Sequence, residues 1–182
     1  LDKQPSLVDS PHLNAETLVQ MAMEGSRCRL LELGLEKEPG LLRSEGGNLA
    51  RAAIKKLKLD ILRFLFEKEP ALIHSVDDEG QSLAHVAVRE GQAGTLVQLL
   101  EKEPSLLYGV DNKGETLVDA AVLKRGVEHR LYLLETLFEK DPTLTDRQGR
   151  TLAHVIATTD HSCRLLEKFL DKQPSLIHSV DD

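Results

Sequence analysis

Two interleaved motifs recur along the chain with a shared period near 34 residues. One is a charged tripeptide ending in proline: DKQP at Pro5, EKEP at Pro39, Pro70 and Pro104, EKDP at Pro142 and DKQP at Pro174. Six of the seven prolines belong to this series. The other is TLVQ from Thr17, NLAR from Asn48, SLAH from Ser82, TLVD from Thr116 and TLAH from Thr151. A period in this range marks an array of small units, each burying its apolar faces only against its neighbours. Composition agrees. Leucine is abundant, aromatics are 3% and tryptophan is absent, which favours helices packed through leucine over a sandwich or barrel.

Each unit reads as two helices. In the third, Ser82 is a good N-cap ahead of Leu83, Ala84, Val86, Ala87 and Val88, and Gly91 and Gly94 are expected to break that helix. Leu96, Val97, Leu99 and Leu100 then carry the spacing of an amphipathic second helix, which Pro104 blocks. The fourth unit repeats this from Thr116 to Lys124, with a longer second helix through Leu131, Leu134, Leu137 and Phe138. Gly46-Gly47 reads as a turn in the second unit. The predicted fold is all-α, a solenoid of stacked helix–turn–helix units with projecting loops.

Asp77-Asp78-Glu79-Gly80-Gln81-Ser82-Leu83-Ala84-His85-Val86-Ala87, Asp111 to Ala121 and Asp146 to Ile156 resemble the D-x-x-G-x-T-P-L-H-x-A pattern of ankyrin repeats. The resemblance implies one ankyrin-repeat domain over 1–182. Its units fall near 10–42, 43–76, 77–110, 111–145 and 146–179, with 1–9 the tail of a preceding unit and 180–182 the start of another. Departures are local. The family's proline is leucine throughout, its histidine is Gln20, Arg51 and Asp119 in three units, Ala15 replaces the first glycine, and the loop before Asp146 is about three residues short. The end from Pro174 to Asp182 matches Pro70 to Asp78, so the array is expected to run on past Asp182.

No catalytic constellation emerges. The resemblance implies that His85 and His154 bond backbone groups of neighbouring loops. Cys163 lies near His161 and Asp160, but side chains two apart on a helix diverge, and Cys28 and Cys163 both read as small packing residues opening second helices. Four units apart, the two cysteines are not expected to form a disulfide, and so few cysteines fit a reducing compartment. No His or Cys pair has zinc-ligand spacing and no phosphate-cradling glycine loop is present, so neither metal nor small-molecule cofactor is expected.

Net charge is −7, and no basic stripe with stacking aromatics exists, which argues against a nucleic-acid partner. No apolar run reaches the roughly 18 residues of a membrane span, so no membrane insertion is expected. Arg51, Lys55, Lys56, Lys58 and Arg63 make the second unit basic, and Asp77, Asp78, Glu79, Glu90, Glu101 and Glu103 make the third acidic. Solvated faces and a charge-selective groove both account for this.

The expected function is non-catalytic binding of a protein partner. The alternative is a recognition segment of a larger enzyme or secreted bacterial effector, with catalysis elsewhere; the location is then the host cytosol rather than the cytoplasm. The family's binding positions, carried over residue by residue, are loop tips and first-helix ends on the concave face. They are Asp78, Glu79, Gln81, Arg89 and Glu90 in the third unit, Asn112, Lys113, Glu115, Leu123 and Lys124 in the fourth, and Arg147, Gln148 and Arg150 in the fifth. Tyr108 and Leu123 are candidate apolar anchors, although Tyr108 could equally pack under its own loop.

Overall fold

The computed structural model describes residues 15–158, apart from 26, 27, 39 and 125, together with 167 and 171. The chain divides into two compact units, Leu1–Ser75 and Val76–Asp182, one residue from the repeat boundary expected at 76/77. Among the described residues, all regular structure is helical apart from three isolated β-bridges.

The first unit contains α1 (Ala15–Gly25), α2 (Cys28–Lys37), α3 (Leu41–Lys55), α4 (Leu59–Lys68) and a 3₁₀ turn, Pro70–His74. The α1–α2 and α3–α4 pairs are antiparallel neighbours joined by short connections, and α2 also packs on α4. Small residues on α3 (Ala50, Ala53) face leucine, isoleucine and phenylalanine on α4 (Ile61, Leu62, Leu65, Phe66), all buried. Gly46-Gly47 is not a turn: both glycines lie inside α3. No Asp-x-x-Gly loop precedes this helix, so it starts earlier, at Leu41. Gly46 is buried against Leu72 of the 3₁₀ turn, where a Cβ would come within 2.7 Å of a leucine methyl.

The second unit contains α5 (Leu83–Glu90), α6 (Ala93–Lys102), a 3₁₀ turn (Pro104–Tyr108), α7 (Leu117–Val122), α8 (Val127–Lys140) and α9 (Leu152–Ala157). First helices stack on first helices, α5 on α7, and second on second, α6 on α8. Six consecutive residues of α5, Leu83 to Val88, are all buried, so this short helix is covered on every side. Gly94 breaks nothing. It lies exposed in the first turn of α6, and Gly91 alone ends α5.

Gly91 takes a left-handed conformation (φ 78°), with its own N–H donating to Val88 and that of Gln92 to Ala87. This wrapped helix end suits glycine. In the first unit Leu57 holds the same place at φ 53°, with Lys58 N donating to Ala53 O at 2.8 Å. A left-handed leucine costs about 1–2 kcal/mol and here it is also exposed.

The loops ahead of α5, α7 and α9 are one structure built three times. A single oxygen, Oδ1, of Asp77 accepts from the N–H groups of Glu79 and Gln81 at 3.0 and 2.9 Å. Asp111 accepts likewise from Lys113 and Glu115 at 2.8 and 2.9 Å, and Asp146 from Gln148 and Arg150, both at 2.9 Å. Bridges Val76–Ser82, Val110–Thr116 and Thr145–Thr151 close each hairpin. The positive φ of Gly80, Gly114 and Gly149 (73–78°) lets the chain turn back. The short loop before Asp146 omits the 3₁₀ turn yet keeps the bridge, and Leu144 is buried in the manner of Leu106.

Leu99→Ala and Leu134→Ala should each destabilise by about 2–5 kcal/mol, since both side chains are fully enclosed. Leu57→Gly should do the reverse, raising stability by about 0.5–1 kcal/mol in denaturant titration.

Candidate functional site

The loop tips of the second unit are tied to one another across repeats. Asn112 N donates to Glu79 O at 2.9 Å, and its side-chain amide donates to Asp78 O at 3.0 Å. A Cβ on Gly80 would collide with Asn112, so glycine is required there by contact as well as by φ. Beneath, His85 is fully buried. Its Nε2 lies 3.2 Å from Glu115 O, and its Nδ1 lies 2.9 Å from Ser82 Oγ. A carbonyl can only accept, so Nε2 carries the proton and the Ser82 hydroxyl donates to Nδ1. The imidazole bridges its own loop to the backbone of the next, as the resemblance implies, and burial favours its neutral form.

Asp119 holds the equivalent place in the next repeat. Its Oδ2 accepts from Thr116 N and Oγ1, completing a capping box, and from Arg147 N of the following loop at 2.9 Å. Exchanging histidine for aspartate turns a donor into an acceptor, and the partner changes from a carbonyl to an N–H. In the last described repeat His154 Nδ1 lies 2.7 Å from Thr151 Oγ1.

These bonds divide the predicted contact residues. Asp78, Glu79, Glu90, Asn112, Lys113, Leu123, Arg147, Gln148 and Arg150 are exposed. Gln81, expected at the surface, is buried and donates to Glu79 Oε2 at 2.9 Å. Arg89, Glu115 and Lys124 are half-buried and already engaged. Arg89 pairs with Glu115 at 2.8 Å and approaches Asp111 at 3.6 Å, and Lys124 donates to Arg89 O at 2.6 Å, where α5 ends. They act as clamps between repeats. Arg150 is partly engaged too, in a 2.7 Å pair with Asp146.

Tyr108 does not pack under its loop. It is 64% exposed, and its hydroxyl donates to Asp141 Oδ2 at 3.0 Å, which pushes the phenol's pKa up. Val76 and Val110, not singled out above, stand out as exposed apolar residues flanking the first two of these loops, where the third has Thr145. Their identity one period apart was the available signal.

Burial pulls Asp111 and Asp146 upward. For Asp111 the N–H groups of Glu115 and Lys113 with the Arg89 guanidinium outweigh it, and for Asp146 those of Arg150 and Gln148 with the Arg150 guanidinium do, so both carboxyls titrate below the usual value. Burial dominates at His85 and lowers its pKa, despite the Glu115 carbonyl and the nearby Asp111 and Asp77. Cys28 opens α2 as expected. Burial, then Asp60, pushes its thiol up, opposite to a reactive thiolate. The Cys163, His161 and Asp160 cluster lies outside the described residues. No group of three metal-ligating side chains occurs among the described residues, and no helix among them is long and apolar enough to cross a membrane.

No family model and no curated protein matches the sequence. A crystal structure of an ankyrin repeat domain from Acinetobacter baumannii AYE does match in fold, with a TM-score of 0.65 over 93% of this chain and 87% of that one, at 21% identity. The chain has the ankyrin-repeat fold. Its ankyrin-type loops in the second unit are hydrogen-bonded at the backbone and varied at the tips.

The neutral bridge at His85 has a pH signature. The unfolded chain takes up a proton near the ordinary imidazole value of about 6.5, whereas the folded chain resists. The folded state then binds fewer protons, so stability is full above that value and should fall as pH drops below it. Thermal melts of His85→Gln should show a flatter dependence between about pH 6.5 and 5 than the parent. Equal slopes would mean that the imidazole is not held neutral.

Proposed function

We propose that the chain is a non-catalytic protein-binding module whose contact surface is the strip of loop tips and first-helix ends in the second unit. One observation carries this reading. The partly or fully buried aspartates and cross-repeat bonds set the loop backbones, yet Asp78-Glu79, Asn112-Lys113 and Arg147-Gln148 send exposed, chemically different side chains from equivalent positions. Asn112 is tied by its amide to Asp78 O, but packing does not dictate the other five residue types, and variable loops on a rigid scaffold are where binding residues concentrate. Leu123, 68% exposed beside Lys124, supplies an apolar anchor for the strip.

The surface is of mixed sign, with the Glu79–Lys113 pair exposed at 3.3 Å, and it fits a protein of complementary charge better than a polyanion. Small-molecule cofactors and nucleic acid have no part in this reading. A cytoplasmic location accords with the free thiol of Cys28.

Partners captured on the full chain from the source cells provide the assay. Reversal of Asp78 and Glu79 to lysine, or Lys113→Glu, should weaken binding by about tenfold or more while the melting temperature holds, because exposed pairs add at most about 1 kcal/mol. Binding that survives these changes, but is lost on Gln98→Ala or Glu135→Ala, would move the site to the second-helix face.

A further inference from the structure

The three residues missing before Asp146 leave a cleft of about 370 Å³ in the second unit. Counted forward from the prolines, Leu144 corresponds to Leu106, and counted back from Asp146 and Asp111, Thr145 corresponds to Val110, so the fourth repeat has no counterpart of Leu107, Tyr108 and Gly109. Leu107, Tyr108 and Gly109 of the third repeat form one wall of the cleft. Stacking would have covered them with the missing turn. Leu117 and Leu144 add to the apolar lining, and Tyr108 and Val110, 64% and 58% exposed, stand at the rim. The volume falls within the range of specific binding pockets.

One charge lines the cleft among the described residues, the Asp141 carboxylate. Its Oδ1 accepts from Thr143 Oγ1 at 2.6 Å and Thr143 N at 2.8 Å, and its Oδ2 accepts the Tyr108 hydroxyl. The Thr143 side chain foremost holds the carboxylate ionised, against partial burial. A carboxylate oxygen has two acceptor sites, so Oδ2 keeps one for a further donor. The surrounding chain is anionic too: residues 76–158 contain fourteen carboxylates against nine lysines and arginines.

We propose that this cleft is a peptide-docking site that takes a leucine or isoleucine side chain from an extended partner segment, with an adjacent lysine or arginine paired to Asp141. The guest's apolar side chain supplies the packing that the missing turn would have supplied, and its cation meets the lone lining charge. This deepens the protein-binding reading and rests on it, but places the contact off the loop-tip strip.

A displayed library of short random peptides, selected on the immobilised full chain, tests the assignment. The enriched pool should carry Leu or Ile beside Lys or Arg. A variant with Leu-Tyr-Gly inserted between Leu144 and Thr145 fills the cleft with the chain's own turn and should lose the selected peptides by about tenfold or more. Val110→Arg, a change at an exposed position, should lose them equally with an unchanged melting temperature, and so covers the case in which the insertion does not fold. Lys113→Glu should leave peptide binding within about twofold. An empty selection, a pool without the apolar–cationic pair, or a pool indifferent to Val110→Arg overturns the assignment. Peptides lost on Lys113→Glu but kept by Val110→Arg overturn it while leaving the loop-tip reading intact.

Discussion

A single carboxylate oxygen accepting two backbone N–H groups is the interaction on which the second unit depends. Asp77, Asp111 and Asp146 each perform it, two and four residues ahead, and each thereby turns a polar loop into a defined hairpin. Without it the N–H groups would seek water and the loop would not hold its shape. With it the loop end is set, Ser82, Thr116 and Thr151 reach the N-cap positions, and the short first helices begin in register. Helices of six to eight residues are not stable alone. They persist because the loop delivers them, already started, to an apolar layer.

The coupling between repeats is polar at the loops and apolar at the helices, and the two parts differ in tolerance. Buried leucines can be exchanged at a cost in volume. The loop bonds are chemically specific, because donor must meet acceptor. The second unit shows how that specificity is met when a residue changes: His85 reaches a carbonyl, whereas Asp119 in its place reaches the N–H of Arg147. Arg89, Glu115 and Lys124 add a charged clamp around the end of α5.

The period, the helix pairs, the alanine-rich first layer and the Ser82 and Thr116 caps were legible in the residues, since each rests on local spacing. The conformation of Gly46-Gly47 was not. Glycine pairs signal turns locally, and only the Leu72 side chain, 26 positions away, shows why the helix needs Gly46. The contact strip was half legible. Period and polarity located the tips, but whether Gln81, Arg89, Glu115 or Lys124 faces solvent depends on partners about 2 to 35 residues distant in sequence. The short loop before Asp146 was visible as a count of residues. That it opens a cleft beside Tyr108 follows only from stacking it on the third repeat.

Rigid loops are the premise of everything said here about recognition, and amide hydrogen exchange on the full chain tests that premise most directly. The amides of Gln81, Glu115 and Arg150 lie outside helices, yet each is held by a partly or fully buried aspartate. They should exchange about as slowly as amides in α5 and α7, because opening one requires opening its repeat. Exchange at the rate of an unstructured loop, with the helices still protected, would contradict the account: the tips would then be mobile, and the aspartate clamp would not be what sets the repeat.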